Sequence, residues 1–179
     1  HLISRAGRDS TSIILPAGGS TLVNLSGRST VQGFTLAHAS GPEYDGDGIH
    51  ASGDGWLVAD CRLLNNYRGI WISGGADSAR VIDTYIRNSS IGIIADGAAA
   101  ILRCRILDCE RGILVWKNER VCNNLIGAAF FGIEVAVPDW PQPYATIANN
   151  VVTAVGNSNY GSQMYGIAIN GNKAYAHIY

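Results

Sequence analysis

Apolar and polar residues alternate with a period of two in short runs all along this chain. Val58-Ala59-Asp60-Cys61-Arg62-Leu63, Val81-Ile82-Asp83-Thr84-Tyr85-Ile86 and Ile101-Leu102-Arg103-Cys104-Arg105-Ile106 form one set. Gly69-Ile70-Trp71-Ile72, Gly112-Ile113-Leu114-Val115 and Gly132-Ile133-Glu134-Val135 form another. Such alternation predicts strands with one buried and one outward face. Asn65-Asn66 and Asn88-Ser89-Ser90 separate the runs and predict turns. No apolar stretch with helical period reaches ten residues, so helices are not predicted.

The runs repeat in register. Gly-Ile pairs occur at Gly48, Gly69, Gly92, Gly112, Gly132 and Gly166, with steps of 21, 23, 20, 20 and 34 residues. Asp60, Asp83, Arg103 and Asn123 each lie nine residues before one of these glycines. Two columns in constant register mean one unit repeated, as in a solenoid. A unit of 20–23 residues with two or three strands and no helix predicts an all-β fold, a parallel β-helix of about seven coils. The leucine-rich repeat has a similar length, but its Leu-x-x-Leu-x-Leu core is absent. Coils stack about 4.8 Å apart, so columns become ladders. Ile49, Ile70, Ile93, Ile113, Ile133 and Ile167 make one; Leu36, Leu63, Ile86, Ile106, Ile126 and Val152 a second. Phe34, Cys61, Thr84, Cys104, Asn124 and Asn150 make a third, more polar one at a turn.

Composition narrows the function classes. The 179 residues suit one domain, residues 1–179. A net charge of −1 with no basic tract argues against nucleic acid, and no run of 18 apolar residues could span a membrane. The chain begins at His1 and ends on Ala176-His177-Ile178-Tyr179 without a polar cap. Solenoids need capped ends, so a fragment of a longer chain is expected. The four cysteines, at 61, 104, 109 and 122, lack zinc-site spacing and read as small buried side chains.

Leu2-Ile3-Ser4-Arg5-Ala6-Gly7-Arg8-Asp9-Ser10-Thr11-Ser12-Ile13-Ile14 and Val31-Gln32-Gly33-Phe34-Thr35-Leu36 resemble early coils of the pectate-lyase-like right-handed β-helix superfamily. The later Gly-Ile and Asn-Asn coils resemble the repeats of its carbohydrate-binding proteins and sugar hydrolases. The resemblance implies right-handed coiling, an extracellular or cell- or virion-surface location, and an acidic polysaccharide as partner. It implies either an enzyme (a polysaccharide lyase, glycoside hydrolase or uronate epimerase) or a non-catalytic tailspike, adhesin or fibre segment that assembles with copies of itself. The Asp-Pro-His-Glu of alginate epimerases and the Arg-x-Pro-x-x-Arg of pectate lyases are absent here.

Alternation turns the residue after each isoleucine outward. That stripe reads His50, Trp71, Ile94, Leu114, Glu134, Ala168, and is expected to be wet. Beside it run Ser52, Ser73, Asp96, Trp116, Ala136, Asn170, and Asp47, Arg68, Ile91, Arg111, Phe131, Tyr165. Trp71 and Trp116 offer flat faces to sugar rings, or a contact for a partner. Arg68 and Arg111, two coils or roughly 10 Å apart, suit two acid groups of a polymer. Asp96, Lys117, Glu134 and Trp140 complete the expected binding surface. Asp45, Asp47 and His50 form the tightest ionisable cluster, beneath an insertion at 38–44, and are the catalytic candidates. Asp-Gly-Asp-Gly is also turn chemistry. No metal site or cofactor is expected, although two aspartates with nearby carbonyls suit calcium. A second insertion, 136–144, is expected to wall the same face.

Overall fold

A computed structural model describes residues 1–15, 20–38, 46–74, 77–136, 144–154, 165–170 and 175–178. All its regular elements are strands, and every strand pairing is parallel. Each coil contributes one strand to each of three faces. The first face holds Leu2–Ile3, Thr30–Gln32, Leu57–Ala59, Arg80–Ile82, Ala100–Leu102, Arg120–Cys122, Tyr144–Ala148 and Tyr175–Ile178. The second begins with Ser12–Ile14, Thr35–Ala37, Arg62–Leu64 and Tyr85–Arg87. The third, the glycine–isoleucine face, begins with Thr21–Ser26, Asp47–Ser52, Arg68–Ser73 and Ile91–Ala95. The long strands Arg105–Val115 and Leu125–Ala136 run through both faces, with register shifts between Leu107 and Arg111 at the corner.

The predicted ladders exist. Ile49, Ile70, Ile93, Ile113, Ile133 and Ile167 pair in one register, and Leu36 to Val152 in another. The first face adds Val31, Val58, Val81, Ile101, Val121 and Ile147. Five consecutive coils, from Thr30 to Ala136, bury all three of their ladder residues completely. The turns of the solenoid therefore number about five by packing, slightly fewer than the seven or so that the spacing predicts. In the flanking strands Ile3 is 55% and Ile178 51% exposed.

The corner between the first and second faces explains the Asp-Asn column. Asp60, Asp83, Arg103, Asn123 and Asn149 all have φ between 48° and 58°, the left-handed region that Asp and Asn enter more readily than other side chains. The next residue turns inward, and at four of the five corners it binds a backbone carbonyl of the preceding coil; Thr84 instead donates to the Ile82 carbonyl of its own coil. Asn124 Nδ2 donates to the Ile101 carbonyl at 3.1 Å, and Asn150 Nδ2 to that of Val121 at 2.9 Å. Cys61 and Cys104 hold the equivalent places with weaker S–H donors. All four cysteines are free and buried. Burial pushes the thiols of Cys104 and Cys109 up to about 12 and about 11, which leaves them protonated and unreactive.

Candidate functional site

On the glycine–isoleucine face, the outward stripe has the predicted order: His50, Trp71, Ile94, Leu114, Glu134 and Ala168 are neighbours in register. Its wetness is overestimated from sequence. Ile94 is 6%, Leu114 5% and Glu134 7% exposed, although none joins the core cluster. Side chains on adjoining parallel strands stand close enough to shade one another. Ile94 lies between Trp71 and Leu114, and Leu114 between Ile94 and Glu134.

The polar residues of this face are organised into ion pairs across coils. Asp47 is buried and forms an ion pair with Arg68 of the next coil. The Arg68 guanidinium carbon lies 4.4 Å from the Trp71 ring centroid. The His50 ring also stacks with Trp71, at 4.4 Å and 6°, and His50 Nε2 is 2.9 Å from Ser73 Oγ. Two coils away, Arg111 faces Glu134 at 3.4 Å and approaches the Phe131 ring at 5.4 Å. Asn170 Nδ2 donates to Glu134 Oε1 at 2.9 Å, and Phe131 stacks with Tyr165. Lys117 pairs with Asp96 at 2.8 Å, beside the half-buried Trp116.

The structure thus brings Asp47, His50, Arg68 and Trp71 together, and separately Arg111 with Glu134, and Asp96 with Lys117. It leaves four coil steps between His50 and Glu134. The arginines are not free cations awaiting a ligand, because carboxylates of this chain already face them. Asp45, Trp140 and most of both insertions lie outside the described residues. Among the described residues, no three His, Cys, Asp or Glu side chains gather closely enough to hold a metal ion. Among these same residues, no helix is long and apolar enough to cross a membrane.

A second cluster escapes the sequence reading. A groove of about 520 Å³ opens outside the Asp-Asn corner, lined by Arg8, Arg62, Asp83, Tyr85, Arg103 and Arg105. Arg103 grips Asp83 with two hydrogen bonds of 2.8 Å, and these hold the Asp83 carboxyl below its usual value. Arg8 reaches over from the first coil to the Asp83 carbonyl at 3.1 Å and the Asp60 carboxylate at 3.3 Å. Arg62 pairs with Asp9 at 2.6 Å. The sequence signal was present: Arg62, Tyr85 and Arg105 each precede a ladder residue by one position.

The family described as "right handed beta helix region" matches residues 21–179. Among solved structures, a pectate lyase, Pel9A, superposes with a TM-score of 0.68 at 13% identity, over 94% of this chain and 51% of that one. The chain spans about half the length of that protein. No curated protein sequence matches.

Proposed function

Because the chain belongs to the right-handed β-helix family, we propose that it is a glycan-directed β-helix whose glycine–isoleucine face binds an acidic polysaccharide outside the cell or on a cell or virion surface. One observation carries this reading: the half-buried Trp71 ring is stacked with His50, and the Arg68 guanidinium lies over it, which puts a flat ring and a cation together on one sheet. Aromatic faces suit sugar rings, and arginine forks suit carboxylates. The likeness to a pectate lyase supports a polysaccharide as the ligand. Processing of the bound polymer, by lysis, hydrolysis or epimerisation, would draw on Asp45, Asp47 and His50; of these, Asp47 and His50 stand on the strand paired with that of Trp71.

Binding to a panel of uronic-acid polymers, read by affinity electrophoresis, tests the proposal. Trp71→Ala is expected to weaken binding about tenfold, the equivalent of 1.4 kcal/mol. Added salt weakens it only modestly, since Asp47 and Glu134 already offset Arg68 and Arg111. Growth of absorbance from an unsaturated product, lost in His50→Ala, would establish a lyase. Phe131 and the exposed Tyr165, stacked on this face, favour a second reading in which copies of the chain assemble here. Concentration-dependent oligomers broken by Trp71→Ala, with no glycan bound, would replace the first reading with the second.

A further inference from the structure

We propose that the arginine groove at the Asp-Asn corner is a separate binding site for an anionic oligosaccharide, with its acid groups on arginines and one sugar ring on Tyr85. The groove belongs to the second face and its corner, and uses no residue of the glycine–isoleucine face. At about 520 Å³ it is far larger than a single inorganic anion requires.

Order along the rod specifies the ligand. Arg62, Tyr85 and Arg105 are consecutive in one register, so cation, ring and cation follow one another at steps of about 4.8 Å. A ligand lying along them presents an acid group, an apolar ring face and a second acid group over roughly 10 Å. Sugar acids in a chain have this pattern. The charge balance fits the same class. Asp9, Asp60 and Asp83 offset Arg62, Arg8 and Arg103, which leaves Arg105 as the arginine of the groove with no carboxylate partner among the described residues. Its guanidinium carbon stands 5.9 Å from the Tyr85 ring centroid and its side chain is exposed. Arg62 Nε is buried without a hydrogen-bond partner among the described residues. A groove with so little surplus charge suits sparse acid groups better than a phosphodiester backbone with one charge at every step.

The corner also holds the guanidinium groups in place before a ligand arrives. Arg103 is tied to Asp83, and Arg8 is fastened across two coils by backbone carbonyls. Cations already fixed lose little freedom on binding.

Carboxylated and sulfated oligosaccharides share this chemistry, so a carboxylated trisaccharide, a sulfated disaccharide and a neutral trisaccharide serve as probes. Each is titrated into the protein while the Tyr85 ring signals and the Trp71 indole signal are followed by NMR. At least one acidic probe should shift Tyr85, and Arg105→Ala should weaken that response about tenfold. Arg105→Lys should restore part of it, and Trp71→Ala should leave it unchanged. Which acidic probe binds identifies the acid group. The proposal is overturned if the neutral probe shifts Tyr85 as strongly, or if Arg105→Ala has no effect. Shifts at Trp71 alone overturn it and leave the glycan reading of the glycine–isoleucine face standing. Shifts at Tyr85 alone do the reverse, and silence at both overturns both.

Discussion

At the scale of single residues, the glycine column is set by contact between coils. A Cβ at Gly92 would lie 2.5 Å from the Gly112 carbonyl oxygen and 2.6 Å from Ile106 Cγ2. Neither backbone nor fully buried isoleucine can give way cheaply. Gly92→Ala should therefore cost at least the 1–3 kcal/mol typical of overpacking. Gly166 has no such neighbour among the described residues, where only Val152 Cγ1 approaches, at 3.9 Å, so Gly166→Ala should be nearly neutral. Urea denaturation of the two variants checks the contrast, and equal losses would refute the stacking explanation. The sequence shows the glycines as register marks, but the obstruction comes from a residue about twenty positions away and is invisible locally. The left-handed corner was legible in a similar partial way. Asp60, Asp83 and Asn123 suit it by chemistry, whereas Arg103, with φ 53°, does not. Its two bonds to Asp83 cross from one coil to another, and no short-range pattern predicts them.

At the scale of elements, period-two alternation correctly separates the inward and outward residues of each strand, yet it does not predict exposure. Ile113 sits in the ladder at 0% exposure and Ile94 on the opposite surface at 6%. From alternation alone, truncating Ile94 should cost much less than truncating Ile113. The structure revises that expectation. Ile113→Ala should lose 2–5 kcal/mol, as buried large-to-small changes do. Ile94→Ala should lose roughly half as much, because it lies outside the core cluster beside the half-buried Trp71, and such a site can settle into the gap. Thermal denaturation of both variants reads the ratio, and a negligible loss at Ile94 would mean that the outward stripe is wet after all. The ladders were readable because one coil's register repeats in the next. The ion pairs were not, since Asp47 with Arg68 and Arg111 with Glu134 depend on side-chain direction.

For the whole molecule, one buried carboxyl gives stability a pH dependence. Glu119 is 1% exposed and accepts hydrogen bonds from the Gly97 and Lys117 amides. Burial outweighs these bonds and pushes its pKa from 4.5 up to about 7. A folded-state value above the unfolded one favours folding while the group is protonated. The contribution is complete below about 4.5 and is lost as pH rises through about 7. Urea midpoints should fall between pH 5 and pH 8, by the equivalent of on the order of 3 kcal/mol, and Glu119→Gln should flatten that fall. A parent protein equally stable at both pH values would contradict the assignment. The rod itself was the most legible feature, because repetition writes it several times over. The arginine groove was the least, since Arg8 reaches Asp83 across 75 positions of chain. The regular register has one more consequence, for how such a chain can change its length. Arg80, Ala100 and Arg120 occupy equivalent places, so excising the twenty residues Ala100–Glu119 in frame would set Arg120 beside Arg80 and close every column again. Whatever lies beyond the cut would then move about 4.8 Å nearer to what lies before it. Duplication or loss of one unit in a gene thereby becomes a ruler, lengthening or shortening the surface in whole steps without redesigning any coil.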